Sequence, residues 1–264
     1  MENENIIRLS VFFGLFVLFA AIETLAPRRP LTAGRGRRWI TNWGMSIANT
    51  LITRLMSIAL PLLAVGAAID AGQNGIGLLN GLDFPAWAEV GIAILFFDFA
   101  IWFQHLITHK VPLLWRLHRV HHSDRDLDVT TAIRFHPLEI ALSMGIKIGL
   151  VYVMGPSAVA IVLFEILLNG SAMFNHANIK LPLWLDHSLR LVLVTPDMHR
   201  VHHSVHRAEH DSNYGFALSI WDRMFGTYIA QPAMGHDAMD IGLEWQDDRP
   251  TKFGWTLWLP FRRK

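Results

Sequence analysis

Apolar residues along this chain gather in long runs separated by short polar stretches, and neither the two-residue nor the four-residue alternation of a soluble fold dominates. The first run extends roughly from Ile6 to Ala26, with Arg8 and Glu23 near its ends. It lacks a basic start and a small-residue cleavage site, so it is expected to be retained as a span and not removed as a leader. A second run, from about Trp39 to Asp70, is interrupted by Arg54 and is expected to bend at Pro61 or lie partly at the interface. A third runs from Phe84 to Gln104. A fourth, Leu138 to about Leu168, is broken by Gly155-Pro156 into arms of some 17 and 13 residues. At about 1.5 Å per residue each arm is short for a hydrocarbon core of roughly 30 Å, which predicts a tight helical hairpin entering and leaving on one side.

Charge orients these runs. The linker PRRPLTAGRGRR after the first run holds five arginines and no acid, whereas AGQNGIGLLNGLDFP after the second holds neither Lys nor Arg. Basic linkers stay in the cytoplasm, so the third run is expected to return there with His105, and the hairpin keeps the rest of the chain on that side. The predicted fold is therefore all-α: an integral membrane bundle of about three spans plus a hairpin, with a histidine-rich helical cap at the cytoplasmic face. The expected segments are 1–104 (spans), 105–137 (first histidine segment), 138–170 (hairpin) and 171–264 (cap and tail). Thr195-Pro196 reads as a helix start, and the ending WTLWLPFRRK as a membrane-surface foot or a packed strand.

Composition sharpens this. Of 264 residues 52% are hydrophobic and 17% charged, against about 25% charged in a soluble domain, which favours a membrane protein and excludes disorder. A formal charge of +1 offers no reason to expect nucleic acid. The absence of cysteine removes disulfides, thiolate zinc sites and iron–sulfur clusters. Histidine is the informative residue: of 14, none precedes position 105 and 13 lie between His105 and His210.

Three groups stand out: His105 with His109, then His118, His121 and His122, then His199, His202 and His203. Spacings of three and four put side chains on one helix face, about 5–6 Å apart at Cβ. The last two groups share the hexapeptide HRVHHS, at 118–123 and 199–204, which predicts two similar half-sites facing one centre. Eight imidazoles packed together without a metal would leave lone pairs unsatisfied or cations in repulsion, so the clusters are read as ligands for two ions of the imidazole-preferring kind: iron, zinc, copper or nickel. Isolated His187 and His236 read as ordinary polar residues, and so do His206 and His210. Asp98, seven residues before His105, is expected to orient a ligand's second nitrogen or to pair with a base such as Arg54. The Asn42, Ser46, Asn49, Thr53 stripe reads as interhelical hydrogen bonding. Lys147 falls inside the hairpin with no role beyond snorkelling.

The histidine boxes, D-x6-H-x3-H from Asp98 to His109, LHRVHHS, TTAIRFHPLE (130–139), FNHANIKLP (174–182), MHRVHHS and NYGFALSIWDRMFGTY (213–228), resemble the fatty-acid hydroxylase / sterol desaturase superfamily of membrane-bound di-iron oxygenases. The resemblance covers about residues 94–228. It implies two irons at the cytosolic mouth of a hydrophobic cavity, with O2 and two electrons used to hydroxylate or desaturate an unactivated C–H bond of a sterol, fatty acyl chain, carotenoid or ether lipid. Carried over box by box, the ligands are the eight histidines above with His176 as a ninth, while His136 is a ligand or supports one and Asn175 is a supporting residue. Two departures are visible. The first box has three intervening residues where some members have four, and Ala172 stands where members with a third HxxxH box have its partner. With no HPGG segment and no cysteine, electrons are expected from a separate donor, a ferredoxin with its reductase or a cytochrome. The competing readings are a zinc-dependent membrane lipid hydrolase, for which no HExxH is present, and a metal transporter or haem conduit, whose ligands would line the spans.

Overall fold

The computed structural model of the protein describes residues 4–59 and 63–262. Helices α1 (Glu4–Leu25), α2 (Arg35–Ala59), α3 (Ala64–Gln73), α4 (Ala86–Lys110), α5 (Pro112–His122), α6 (Pro137–Met154), α7 (Ala158–His176), α8 (Leu183–Leu189) and α9 (Pro196–His202) carry the architecture. Shorter helical turns lie between and after them, and no strand longer than an isolated bridge occurs among the described residues. Among the described residues four helices are long and apolar enough to cross a bilayer: α1, α4, α6 and α7, of 22, 25, 18 and 19 residues. They expose large apolar side chains outward, among them Leu9, Val17, Leu95, Phe103, Val153 and Leu167. This is a membrane helical bundle.

Three expectations change. The second apolar run is not one of these four helices: it divides into α2, where Asn42, Asn49 and Arg54 interrupt the apolar sequence, and the ten-residue α3. Pro61 lies outside the described residues. The hairpin's second arm does not stop near Leu168, because Asn169-Gly170-Ser171 continues the helix, with Asn169 Nδ2 donating to the Glu165 carbonyl at 2.8 Å. Both arms are therefore span-length, and the boundary expected at residue 170 falls inside α7. Finally, the C-terminal segment forms a helix, Phe253–Trp258, that buries Trp255 and Leu259 with Met45 and Val120 while leaving Trp258 exposed. It is not a strand, and Arg263 and Lys264 lie outside the described residues.

The hairpin turn is tightly built. Gly155 closes α6 in the left-handed conformation, φ +63°, and a Cβ there would fall 2.5 Å from the Ile76 carbonyl oxygen. Ser157 then caps α7. At the opposite end of the bundle α4 and α7 finish and α5, α6 and α9 begin, so that one end collects every histidine box.

That end is held by buried charge. Arg38 on α2, fully buried, donates Nε and Nη2 to the two oxygens of Asp124 at 2.7 and 2.9 Å and Nη1 to Asp128 at 2.6 Å. Arg134 donates to Asn42 Oδ1 and to the carbonyls of Val120 and Pro250. The segment Ser123–Arg134 is thereby fastened to α2 immediately behind the first HxxHH helix. Burial alone would raise the Asp124 carboxyl; the Arg38 guanidinium outweighs it and holds the group well below the usual carboxylate range. Replacing Arg38 with Met strands two buried carboxylates, so Arg38→Met is expected to cost about 3–5 kcal/mol. Thermal unfolding in detergent checks this, with loss of the histidine end preceding loss of helix.

Candidate metal centre

Helix geometry aims the boxes. His105 and His109 lie one turn apart at the end of α4, and α5 starts on Pro112 as its first residue and carries His118, His121 and His122 back over them. Thr195 caps α9, its Oγ1 accepting from the Met198 amide at 3.3 Å, and His199, His202 and His203 come next. His176 ends α7. All nine are buried.

They form two clusters. His105, His109, His118, His122 and His202 make one; His121, His176, His199 and His203 make the other, with the ligand atoms in each lying within 4.8 Å of one another. The two HRVHHS helices interlock. The first gives His118 and His122 to the larger cluster and His121 to the smaller; the second gives His199 and His203 to the smaller and His202 to the larger. His122 and His203 stack where the boxes cross, centroids 4.5 Å apart.

The second ring nitrogens decide what these clusters can hold. His105 Nδ1 lies 2.7 Å from the Tyr214 carbonyl, His118 Nδ1 2.6 Å from Glu139 Oε1, and His121 Nδ1 3.3 Å from the Arg134 carbonyl. His176 Nδ1 lies 2.7 Å from the Ala172 carbonyl and His202 Nδ1 2.6 Å from that of Ser212. Each of these partners only accepts, so each Nδ1 carries the proton and each Nε2 a lone pair. Yet Nε2 of His105 and His118 are 3.0 Å apart, and so are those of His121 and His176. Two lone pairs at that distance repel; a cation between them turns the contact into coordination. Both ring nitrogens of His109, His122 and His203 and Nε2 of His202 are buried without partners. The donor set fits imidazole-preferring metal ions. Burial first, and then the neighbouring imidazoles, push His121, His122, His199, His202 and His203 well below the ordinary histidine value, which keeps them in the neutral form that binds metal.

The supporting residues differ from expectation. Asp98 reaches no histidine and no base: its Oδ2 accepts from Trp221 Nε1 at 2.7 Å, while Trp102, one turn later, donates to Asp222 at 3.0 Å. The two pairs lock α4 to the WD segment. His136 is not a ligand, since its Nε2 lies 3.1 Å from the Leu257 carbonyl and its Nδ1 accepts from the Leu138 amide, capping α6. Asn175 donates to the Phe216 carbonyl at 2.9 Å and so steadies the loop beside His105. His210, buried, stacks on Trp115 outside both clusters; His187 and His206 are exposed, and His236 lies 3.7 Å from Asp197.

Two positioning devices escaped the sequence reading. Glu139, three residues past the capping His136, points from the first turn of α6 at His118; its signal was an acid at the start of an apolar helix. The other is the NYG loop. Asn213, at φ 49°, donates to the Met198 and Ile229 carbonyls, and Asp222 accepts from the Tyr214 and Gly215 amides. The carbonyls of Ser212 and Tyr214 are thereby aimed at His202 and His105.

A cavity of about 360 Å³ reaches His105 and His118 from the membrane side, lined by Phe12, Ile101, Phe135, Met144, Ala172 and Phe216, among others. An apolar groove between α4 and α6 shares Gln104, Thr108 and Glu139 with it and runs out past Phe103 and Ile146.

Comparison with known proteins agrees with this geometry. The family model described as fatty acid hydroxylase matches residues 90–227. An alkylglycerol monooxygenase of Homo sapiens is 36% identical over 53% of this chain and 30% of its own length. An ornithine lipid hydroxylase of Rhizobium tropici is 28% identical over 61% of the chain and 47% of its own length. For a methylsterol monooxygenase of Arabidopsis thaliana the figures are 28%, 67% and 67%. The chain thus spans less than half the length of the first two. No solved structure matches it.

Glu139→Gln should weaken metal retention about 10–100-fold, read by competition with a chelator, because the amide no longer fixes the His118 proton. Acid should also strip the centre. Folded imidazoles titrate below 6.5 and unfolded ones near it, so the neutral, metal-binding form is favoured above that pH and its advantage is lost as pH falls from 6.5 toward the folded value. Metal content and thermal midpoint are expected to fall together as pH drops below about 6.5.

Proposed function

The chain belongs to the fatty acid hydroxylase family, and on that footing we propose that it is a membrane-bound, di-iron, O2-dependent monooxygenase that hydroxylates an unactivated C–H bond of a lipid. The observation that carries the reading is the pairing of two clusters of lone-paired imidazoles with an apolar cavity that ends on His105 and His118. The named activities of the relatives, on alkylglycerol, ornithine lipid and methylsterol, support a lipid substrate and an oxidoreductase.

Two bound irons, held by the five- and four-histidine clusters, would supply the reduction of O2 by two electrons and the oxidation of a C–H bond, with one oxygen atom leaving as water. The protein's own share is positional. The α4–α6 groove admits a lipid sideways from the bilayer, and the cavity walls, Phe135 and Phe216 among them, hold it against the His105–His118 edge and exclude water. Glu139 and the carbonyls of Ser212, Tyr214, Arg134 and Ala172 keep protons on Nδ1, so that each of these five ligands presents Nε2 without rearranging. Electrons arrive from a separate donor, a ferredoxin with its reductase or a cytochrome, at the histidine end; the arginine-rich linker supports a cytoplasmic position for that end.

Protein loaded anaerobically is expected to bind close to two irons per chain and, once reduced by dithionite and exposed to labelled O2 with a lipid extract, to give a single turnover of hydroxylated lipid carrying the label. His202→Ala should abolish iron retention and turnover together. Activity that survives in the zinc-loaded protein, without O2, would assign a hydrolase instead.

A further inference from the structure

Lys147 sits halfway along a helix fit to cross a bilayer, where a charge is expensive unless it is paired or put to use. Its Nζ lies 2.8 Å from Glu165 Oε1 on α7, and the other oxygen of Glu165 lies 2.5 Å from Arg8 Nη2 on α1. Arg8 also pairs with Glu4, at 3.1 Å. The cluster is therefore neutral: two cations, two carboxylates, with both oxygens of Glu165 engaged. Lys147 has spent one of three N–H donors, and among the described residues it has no second partner.

These charges join α1 and α6 to α7, and they also face a cavity. Arg8, Lys147 and Glu165 line the same cavity whose other end is His105 and His118. The Ser143 hydroxyl stands on the same wall, four residues before Lys147 on one face of α6 and about 5–6 Å from it at Cβ. The polar part of the cavity thus offers unspent donors at Lys147 and a hydroxyl at Ser143 that both donates and accepts, in surroundings whose formal charge is already balanced. A hydrocarbon satisfies neither. A carboxylate adds an unbalanced charge and offers Ser143 no proton. A lipid hydroxyl accepts from the ammonium and donates to Ser143 Oγ, at no cost in charge.

We propose that Lys147 and Ser143, backed by Glu165, form the binding site for a neutral hydroxyl group of the lipid substrate. Lys147 lies eight residues beyond Glu139 along α6, so this site is about 12 Å from the His118 contact. The hydroxyl anchors one end of the molecule and sets which distant carbon meets the metal centre. The binding claim stands on the cavity alone; the claim about position rests on the oxygenase reading.

Metal-free protein in nanodiscs is titrated with hexadecan-1-ol, its methyl ether and hexadecanoate, with bound ligand read by mass spectrometry. The alcohol is expected to bind about tenfold more tightly than the ether, which cannot donate, or the acid. Lys147→Met and Ser143→Ala should each remove most of that preference while leaving the ether's affinity within about twofold; Ser143→Ala touches no ion pair and serves if Lys147→Met fails to fold. Equal binding of the three probes, or a preference unchanged in both variants, overturns the site. In the iron-loaded, reduced protein the new oxygen should appear far along the chain, and oxidation at the carbon beside the hydroxyl overturns the assigned distance. Discrimination without any oxidation would leave the site standing and remove the oxygenase reading, whereas oxidation of lipids without discrimination would do the reverse.

Discussion

Nine imidazoles buried away from water can coexist only if something positive stands among their lone pairs. Protonation would supply the charge, yet burial and mutual repulsion push His121, His122, His199, His202 and His203 toward the neutral form, and five of the nine rings are fixed in one tautomer by partners that can only accept. What remains is a donor set suited to metal ions. Much of the rest of the molecule meets that requirement: acceptors placed behind the rings, helix ends brought to one level, and a frame stiff enough to keep lone pairs 3.0 Å apart.

The frame is polar where a soluble enzyme would be apolar. Arg38 and Arg134, both fully buried, spend their donors on the segment between the first HxxHH helix and α6 and on its neighbours, and Glu23 at the end of α1 accepts from the amides of Val129 and Asn178. A network of this kind is conformationally exacting, because any displacement strands a charge. It gives the histidine end a rigidity that the short helices α8 and α9 could not supply by apolar packing.

The range of each interaction decides how much of this was legible in the sequence. Periodicity is local, so the apolar runs, the Gly155 break and the same-face histidines could be read directly, and the repeated hexapeptide announced paired half-sites. The partition of ligands between them could not be read, since it depends on how two helices cross. Asp98 depends on a distant segment in the same way: it shares a stripe of α4 with His105 but lies two turns, about 10 Å, further down the axis, where its neighbour is Trp221 of the WD segment. His136, whose RFHPLE setting is read as that of a ligand or of a residue supporting one, is a helix cap by geometry. Glu139 and the backbone carbonyls of 212 and 214 left almost no trace, because a carbonyl has no letter of its own and Glu139 resembles any acid at a helix start.

The crossing of the two HxxHH helices carries a further implication. Each is a rigid rod that lends two side chains to one cluster and one to the other, so neither cluster can tighten, loosen or change its coordination number by moving a private scaffold. A shift at one is transmitted as a rotation at its neighbour. The two clusters are thus coupled through the helices they share. Private helices for each cluster would have given two independent sites; two shared ones make a single structural unit, so that a disturbance of either helix is felt in both.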